Sequence, residues 1–247
     1  MRKKLANYYA EDLYEDDRAR DSARIVVPMA VALTHPSSVL DVGCGRGAWL
    51  SEFKNHGVEK ILGLDGDYLK PSMLLFPADR FRPTDLSSKF QVPDERFDLA
   101  ICLEVAEHLP ARNSRHLVRQ LVSAAPHVLF SAAPPGQWGG GHINCQRLSY
   151  WRKIFEELGF KTLDPFRPKL RDDRHVAWWY RQNLVMFASP DVCATNPALA
   201  ENEVPPGLES EWVYQWVADA QAGAATRVRR LTGRVLRRAK RALRPNP

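Results

Sequence analysis

Two short stretches of this sequence concentrate residue types that can do acid–base or ligand chemistry. In LEVAEHLP, Glu104, Glu107 and His108 stand within five positions of one another. Glu104 and His108 are four apart and Glu104 and Glu107 three apart, spacings that share a face on a helical turn. Far downstream, SAAPPGQWGGGHIN presents His142 from a glycine-rich loop. Two carboxylates and two imidazoles suit a divalent ion with mixed oxygen and nitrogen ligands, such as Mg2+ or Mn2+. Such an ion lowers the pKa of a bound hydroxyl and orients it. Without an ion, His142 or His108 serves as a general base, because an imidazole titrates near neutral pH. An EH pair that only packs or caps is the plain alternative, and spacing alone does not decide among these readings.

The second stretch is VLDVGCGRGAWL, where Asp41 is followed by Gly43, Gly45 and Gly47. Glycines belong where the chain turns tightly and lets a ligand approach, and the helix that starts after them offers free N–H groups to a carboxylate. A redox-dinucleotide loop would place glycines at 43, 45 and 48, but residue 48 is Ala. The acidic residue ahead of the loop is awkward beside a pyrophosphate and suitable beside an ammonium. Asp65, followed by Gly66, comes 24 residues after Asp41. A carboxylate there can accept both ribose hydroxyls of a nucleoside lying across strand ends.

These residues need strands that end side by side. Short β-rich runs fall at 38–42, 60–65, 97–103, 127–132, 160–165 and 178–188. Helical patterns fall between them at 47–56, 112–124 and 148–158, and the opening segment to about Thr34 reads as a helical cover. Strand–helix alternation at this spacing predicts βαβ units and a mainly parallel sheet. In such a sheet, the loops carrying the EH pair and His142 lie side by side above the strand C-termini.

DVGCGRG together with LGLD and FDLAICLEVAEHL resembles the class I S-adenosylmethionine-dependent methyltransferases, over roughly residues 15–188. The resemblance implies an α/β, doubly wound, mainly parallel seven-stranded sheet and S-adenosylmethionine as cofactor, with S-adenosylhomocysteine as product. It puts Asp41 and the glycine backbone at the cofactor's amino-acid end and Asp65 with Gly66 at the ribose. Asp85 and the backbone of Leu86 fall at the adenine edge, and Leu103 and Glu104 beside the amino group and sulfonium. The ExxEH motif is similar to that of ubiquinone-pathway O-methyltransferases. With His142 added, it also resembles small-RNA 2′-O-methyltransferases, which makes Glu104, Glu107, His108 and His142 a candidate metal set.

On the acceptor side, Trp138 and its neighbouring glycines suggest a loop closely approached by substrate. HVAWWYRQNLVMF places Trp178, Trp179, Tyr180, Arg181 and Asn183 in or before a strand. This run resembles bacterial polysaccharide- and glycolipid-pathway methyltransferases, among them sugar O-methyltransferases of methylmannose polysaccharide synthesis. Aromatic faces with Arg or Asn donors suit sugar rings, although tryptophans on late strands more often serve the core. Trp138, Tyr180 and Arg181 are therefore the candidate substrate contacts.

The net charge of +6 is unevenly spread. Residues 226–247 carry nine Arg or Lys and no acid; without them 26 basic residues face 29 acidic ones. The tail is expected to be solvated, to serve as an intersubunit arm, or to touch anionic lipid or polyanion. The acidic body weighs against an RNA site. Four cysteines without a CxxC pair fit a reducing compartment and neither a zinc ribbon nor a disulfide framework. With no signal-like or spanning apolar run, the expected location is cytoplasmic, with peripheral membrane contact through the tail. The expected organisation is a methyltransferase domain over 1–189, a polar linker over 190–209, then an amphipathic helix and basic tail over 210–247. The expected activity is methylation of a sugar or oligosaccharide hydroxyl, by a chain able to form homo-oligomers. The alternatives are an RNA 2′-O-methyltransferase, a phenol or quinone O-methyltransferase, and a non-catalytic cofactor-binding module.

Overall fold

A computed structural model describes residues 17–137 and 139–205. Trp138, the first 16 residues and the segment 206–247, which holds the anticipated amphipathic helix and basic tail, lie outside the described residues.

The described strands form one seven-stranded sheet in the order β3-β2-β1-β4-β5-β7-β6. The central strands are β1 (Ser38–Val42), β2 (Lys60–Asp65), β4 (Leu99–Leu103) and β5 (His127–Ser131). All five residues of β1, β4 and β5 are buried, as expected for strands covered on both faces. Register aligns their ends: Asp41 pairs with Gly63 and with Ile101, and Leu103 pairs with Ser131. The chain steps outward from β1 through β2 to β3, then returns to β4 on the other side. This leaves a crevice above the β1 and β4 ends, where doubly wound sheets bind ligands.

Helix α1 (Asp17–Thr34) and α2 (Ala48–Asn55) cover one face, while α3 (Ser114–Ala124) and α4 (Leu148–Glu157) cover the other. The core divides accordingly. Ala23, Val26, Val27, Leu50 and Phe53 pack on the first side, and Leu117, Leu121, Trp151 and Phe155 on the second. No described helix is long and apolar enough to cross a membrane.

Three local features differ from the sequence expectation. The seventh strand, β3 (Phe81–Pro83), has only three residues and ends in proline, which is tolerated because the strand lies at a sheet edge. Residues 178–183 form helix α6 (Trp178–Asn183), not strand, and only β7 (Val185–Ala188) pairs in the sheet. Aromatic residues favour strands, but here burial of Tyr180 and Gln182 on the loop face decides the local conformation. The preceding turn of helix, α5 (Arg167–Leu170), is tied down by buried Arg167, whose guanidinium donates to Asp164.

The third is residues 190–205, read as linker, which contain α7 (Pro190–Thr195) and α8 (Pro197–Ala200). They return to the edge strand β6 (Lys161–Leu163), where Glu203 bridges Leu163 and the Val204 N–H donates to the Thr162 carbonyl at 2.9 Å. The buried Arg152 guanidinium donates to the carbonyls of Val204 and Pro205, which fixes this return.

Candidate active site

The loop after β1 supplies the first half of the site. Gly43 has φ +89, and a Cβ there would come within 2.3 Å of Val105 Cγ2. The position therefore excludes side chains by conformation and by space. Gly47 caps α2 without any side-chain hydrogen bond, so the first-turn amides of α2 remain available to a ligand.

Two carboxylates meet below this loop. Asp41 is 3% exposed, and its Oδ2 has no hydrogen-bond partner. Burial, then the neighbouring Asp65, holds its pKa well above the usual carboxylate range. Asp65 is also buried, which raises its pKa, but its hydrogen bonds oppose the rise. Gly45 N–H donates to Oδ2 at 2.7 Å, Gly66 N–H to Oδ1 at 2.6 Å, and the Tyr68 hydroxyl to Oδ1. A buried carboxyl oxygen without a partner, beside a second carboxylate, is costly unless it is protonated or meets a cationic donor.

The two adenine-edge candidates lie differently. Asp85 is exposed, and its Oδ1 accepts from the backbone and hydroxyl of Ser87 in a local turn. Leu86 is buried in the second core beside Leu64.

The second half is built after β4. Leu103 ends the strand, and Glu104 follows with φ +55, a left-handed conformation that is costly for a residue with a Cβ. Its N–H donates to the Ser131 carbonyl at 3.0 Å. An amide cage holds its carboxylate: Asn183 Nδ2 donates to Oε1 at 3.1 Å and Gln137 Nε2 to Oε2 at 3.0 Å. Gln137 Oε1 in turn accepts from Gln182 at 3.1 Å and from Asn183 at 2.9 Å. Sequence reasoning missed Gln137 and Gln182, and it noted Asn183 only as a donor type suited to sugars.

We expect Asn183→Leu to lower the unfolding free energy by about 1–3 kcal/mol, because it strips buried acceptors on two partners. Urea denaturation measures this. An unchanged midpoint would show that the cage is not structural.

Glu107, His108 and His142 converge. Each offers one ligand atom, and these atoms lie within 4.8 Å of one another. Glu107 is fully buried; its Oε1 accepts from the Ala133 N–H, and its Oε2 has no partner. Burial first, and the Glu104 carboxylate second, push its pKa well up. The imidazoles of His108 and His142 meet edge to face, with ring centroids 4.8 Å apart. Burial and the facing His142 lower the His108 pKa to about 4, so His108 is neutral at pH 7.

His142 Nδ1 faces the Gln137 carbonyl at 3.3 Å. A donor belongs at that nitrogen, which leaves Nε2 as the basic one. A Cβ on Gly139 would come within 2.2 Å of His142 Nε2, so the glycine makes room for the ring. Glu104 is not one of this trio; its oxygens accept from Gln137 and Asn183, and its side chain also interacts with that of Glu107.

On the acceptor side, Arg181 donates to the Arg171 carbonyl at 3.1 Å. Tyr180 is buried against Trp49, and Trp138 lies outside the described residues. Trp178 and Trp179, half-buried, pack edge to face at 5.7 Å.

A family model described as a methyltransferase domain matches residues 14–164. No curated protein matches the sequence. Among solved structures, the chain is similar to magnesium protoporphyrin IX methyltransferase from Synechocystis with bound SAH. The TM-score is 0.51 and the identity 15%, over 76% of this chain and 100% of that one. It is also similar to a SAM-dependent methyltransferase from Archaeoglobus fulgidus, with TM-score 0.50 and 18% identity over 68% and 93% of the two chains. At these identities the likeness is one of fold.

Proposed function

The chain belongs to the methyltransferase-domain family, and on that premise we propose that it transfers the methyl group of S-adenosylmethionine to a hydroxyl, with a sugar or oligosaccharide as the preferred acceptor. The observation that carries this reading is the convergence of Glu107, His108 and His142 within 4.8 Å, in the half of the crevice facing Asp41 and the glycine loop.

The donor fits the first half of the site chemically. Its ammonium supplies the cation that buried Asp41 Oδ2 lacks, and its ribose supplies hydroxyls for Asp65. When bound, its sulfonium offers an electrophilic methyl group. The chain's own residues must then orient the acceptor oxygen and remove its proton. His142 Nε2 is the basic nitrogen, and neutral His108 stands beside it. Glu107 and the two imidazoles would also hold a divalent cation, whose charge would offset the buried carboxyl and acidify the acceptor hydroxyl. Half-buried Trp178 offers an aromatic surface to a sugar ring, whereas the Trp179 ring is covered by the Arg18 guanidinium at 4.8 Å.

Tyr68 gives this reading a signed test. A carboxylate has roughly four lone-pair positions, and Asp65 already accepts from Gly45, Gly66 and Tyr68. A ribose that bonds both oxygens must displace one donor, and the Tyr68 side chain is the one able to move. Tyr68→Phe should therefore bind S-adenosylhomocysteine severalfold more tightly, about one ordinary hydrogen bond's worth. Weaker binding in calorimetry would mean that the hydroxyl stays and helps hold the ligand.

Activity is tested by incubating the protein and S-adenosylmethionine with glycans, phenols and RNA while following S-adenosylhomocysteine release. Release with glycans supports the preferred acceptor, and release with RNA alone replaces it.

A further inference from the structure

Tyr180 is only 6% exposed, although α6 lies over the strand ends where ligands are read. Its ring meets Trp49 edge-on, with centroids 5.1 Å apart, and Trp179 at 5.8 Å. Trp49 sits in the first turn of α2, directly after the glycine loop. Asn183, three positions on in the same helix, donates to Glu104, and Asp41, with its partnerless Oδ2, lies in β1 just before the glycine loop. Burial and these carboxylates raise its pKa, so the hydroxyl keeps its proton throughout the physiological range.

Tyr180 is therefore a neutral donor whose ring sits against the first turn of α2. The same quarter holds the uncapped start of α2 and the partnerless Asp41 Oδ2. An amino-acid zwitterion matches this pattern. Its ammonium goes to the carboxylates, and its own carboxylate is then left to neutral N–H and O–H donors.

We propose that Tyr180 binds the α-carboxylate of the methyl donor's amino-acid end, donating its hydroxyl hydrogen to it beside Trp49 and the start of α2. This rests on the donor-site reading above and moves Tyr180 from the acceptor side to the donor side. The contact is specific to the amino-acid end. A nucleoside that shares the adenosine and thioether but lacks that end makes no use of it.

The test compares S-adenosylhomocysteine with 5′-methylthioadenosine by calorimetry on the full chain. Tyr180→Phe keeps the ring against Trp49 and removes only the hydroxyl. The Kd for S-adenosylhomocysteine should rise about tenfold, as for one lost hydrogen bond to a charged group, while that for 5′-methylthioadenosine stays within about twofold. If Tyr180→Phe does not fold, Trp49→Phe removes an indole donor at the same place. The same selective loss is then expected, at about threefold. Equal weakening of both ligands, or no weakening of S-adenosylhomocysteine, overturns the assignment of Tyr180 alone. A wild-type chain that binds neither ligand removes the donor site and Tyr180's part with it.

Discussion

Replacing His142 by alanine should reduce methyl transfer by a factor on the order of 10² or more, with S-adenosylhomocysteine affinity within about twofold of wild type. An alcohol is far too weak an acid to lose its proton unaided near pH 7. The general base must touch it in the transition state, and His142 is placed for that by three contacts. The Gln137 carbonyl takes its Nδ1 side at 3.3 Å, the His108 ring meets it edge to face with centroids 4.8 Å apart, and Gly139 leaves space for the ring. None of these contacts involves Asp41 or Asp65, so donor binding survives the substitution. A chelator separates the two versions of the chemistry. Loss of turnover in EDTA with recovery in Mg2+ or Mn2+ supports a cation on Glu107, His108 and His142. Turnover indifferent to EDTA assigns proton removal to His142 alone. Turnover retained in His142→Ala would remove the base from the account.

Asp41→Asn should move stability and binding in opposite directions. The Asp41 pKa is raised by burial and by Asp65, with Oδ2 unpartnered, so wherever the folded residue is ionised it carries a poorly solvated charge that the unfolded state solvates freely. Removing it should stabilise the ligand-free protein by about 1–3 kcal/mol. The sign fixes the pH dependence. Folded Asp41 takes up its proton at a higher pH than the unfolded residue does. The stability gap between variant and wild type is therefore widest above the folded pKa and closes as pH falls toward the unfolded value. Affinity for S-adenosylhomocysteine should fall about ten- to hundredfold, because the ammonium loses a charge-assisted partner. Denaturation at pH 7 and pH 5 checks the first claim, and calorimetry the second. A variant both less stable and equally tight would show that Asp41 is a structural acceptor.

The glycine loop and the strand that delivers Asp41 to it were readable from the sequence because backbone geometry demands particular residues there. Gly43 cannot carry a Cβ, and the strand before it must deliver Asp41 next to Gly63. The EH pair and His142 were readable as chemistry, but which of the four groups meet was not. Both Glu104 oxygens are captured by Gln137 and Asn183, 33 and 79 positions away in the chain. No local pattern announces such a contact. Aromatic content suggested strand over 178–183, whereas tertiary packing of Tyr180 and Gln182 makes it helix. The same packing puts the Tyr180 ring against Trp49 in the first turn of α2, which its neighbours in sequence could not indicate. The edge strand β3 was too short, and too close to a proline, to leave any periodic trace.

The most direct measurement is S-adenosylhomocysteine release from S-adenosylmethionine by wild type and His142→Ala, side by side, with glycan, phenol and RNA acceptors at matched donor saturation. The account predicts acceptor-dependent release by the wild type with a hydroxyl-bearing glycan, and release lower by a factor on the order of 10² or more in His142→Ala, which still binds the product. Equal release by the two proteins, or a wild type that binds S-adenosylhomocysteine and methylates none of the three classes, would contradict it.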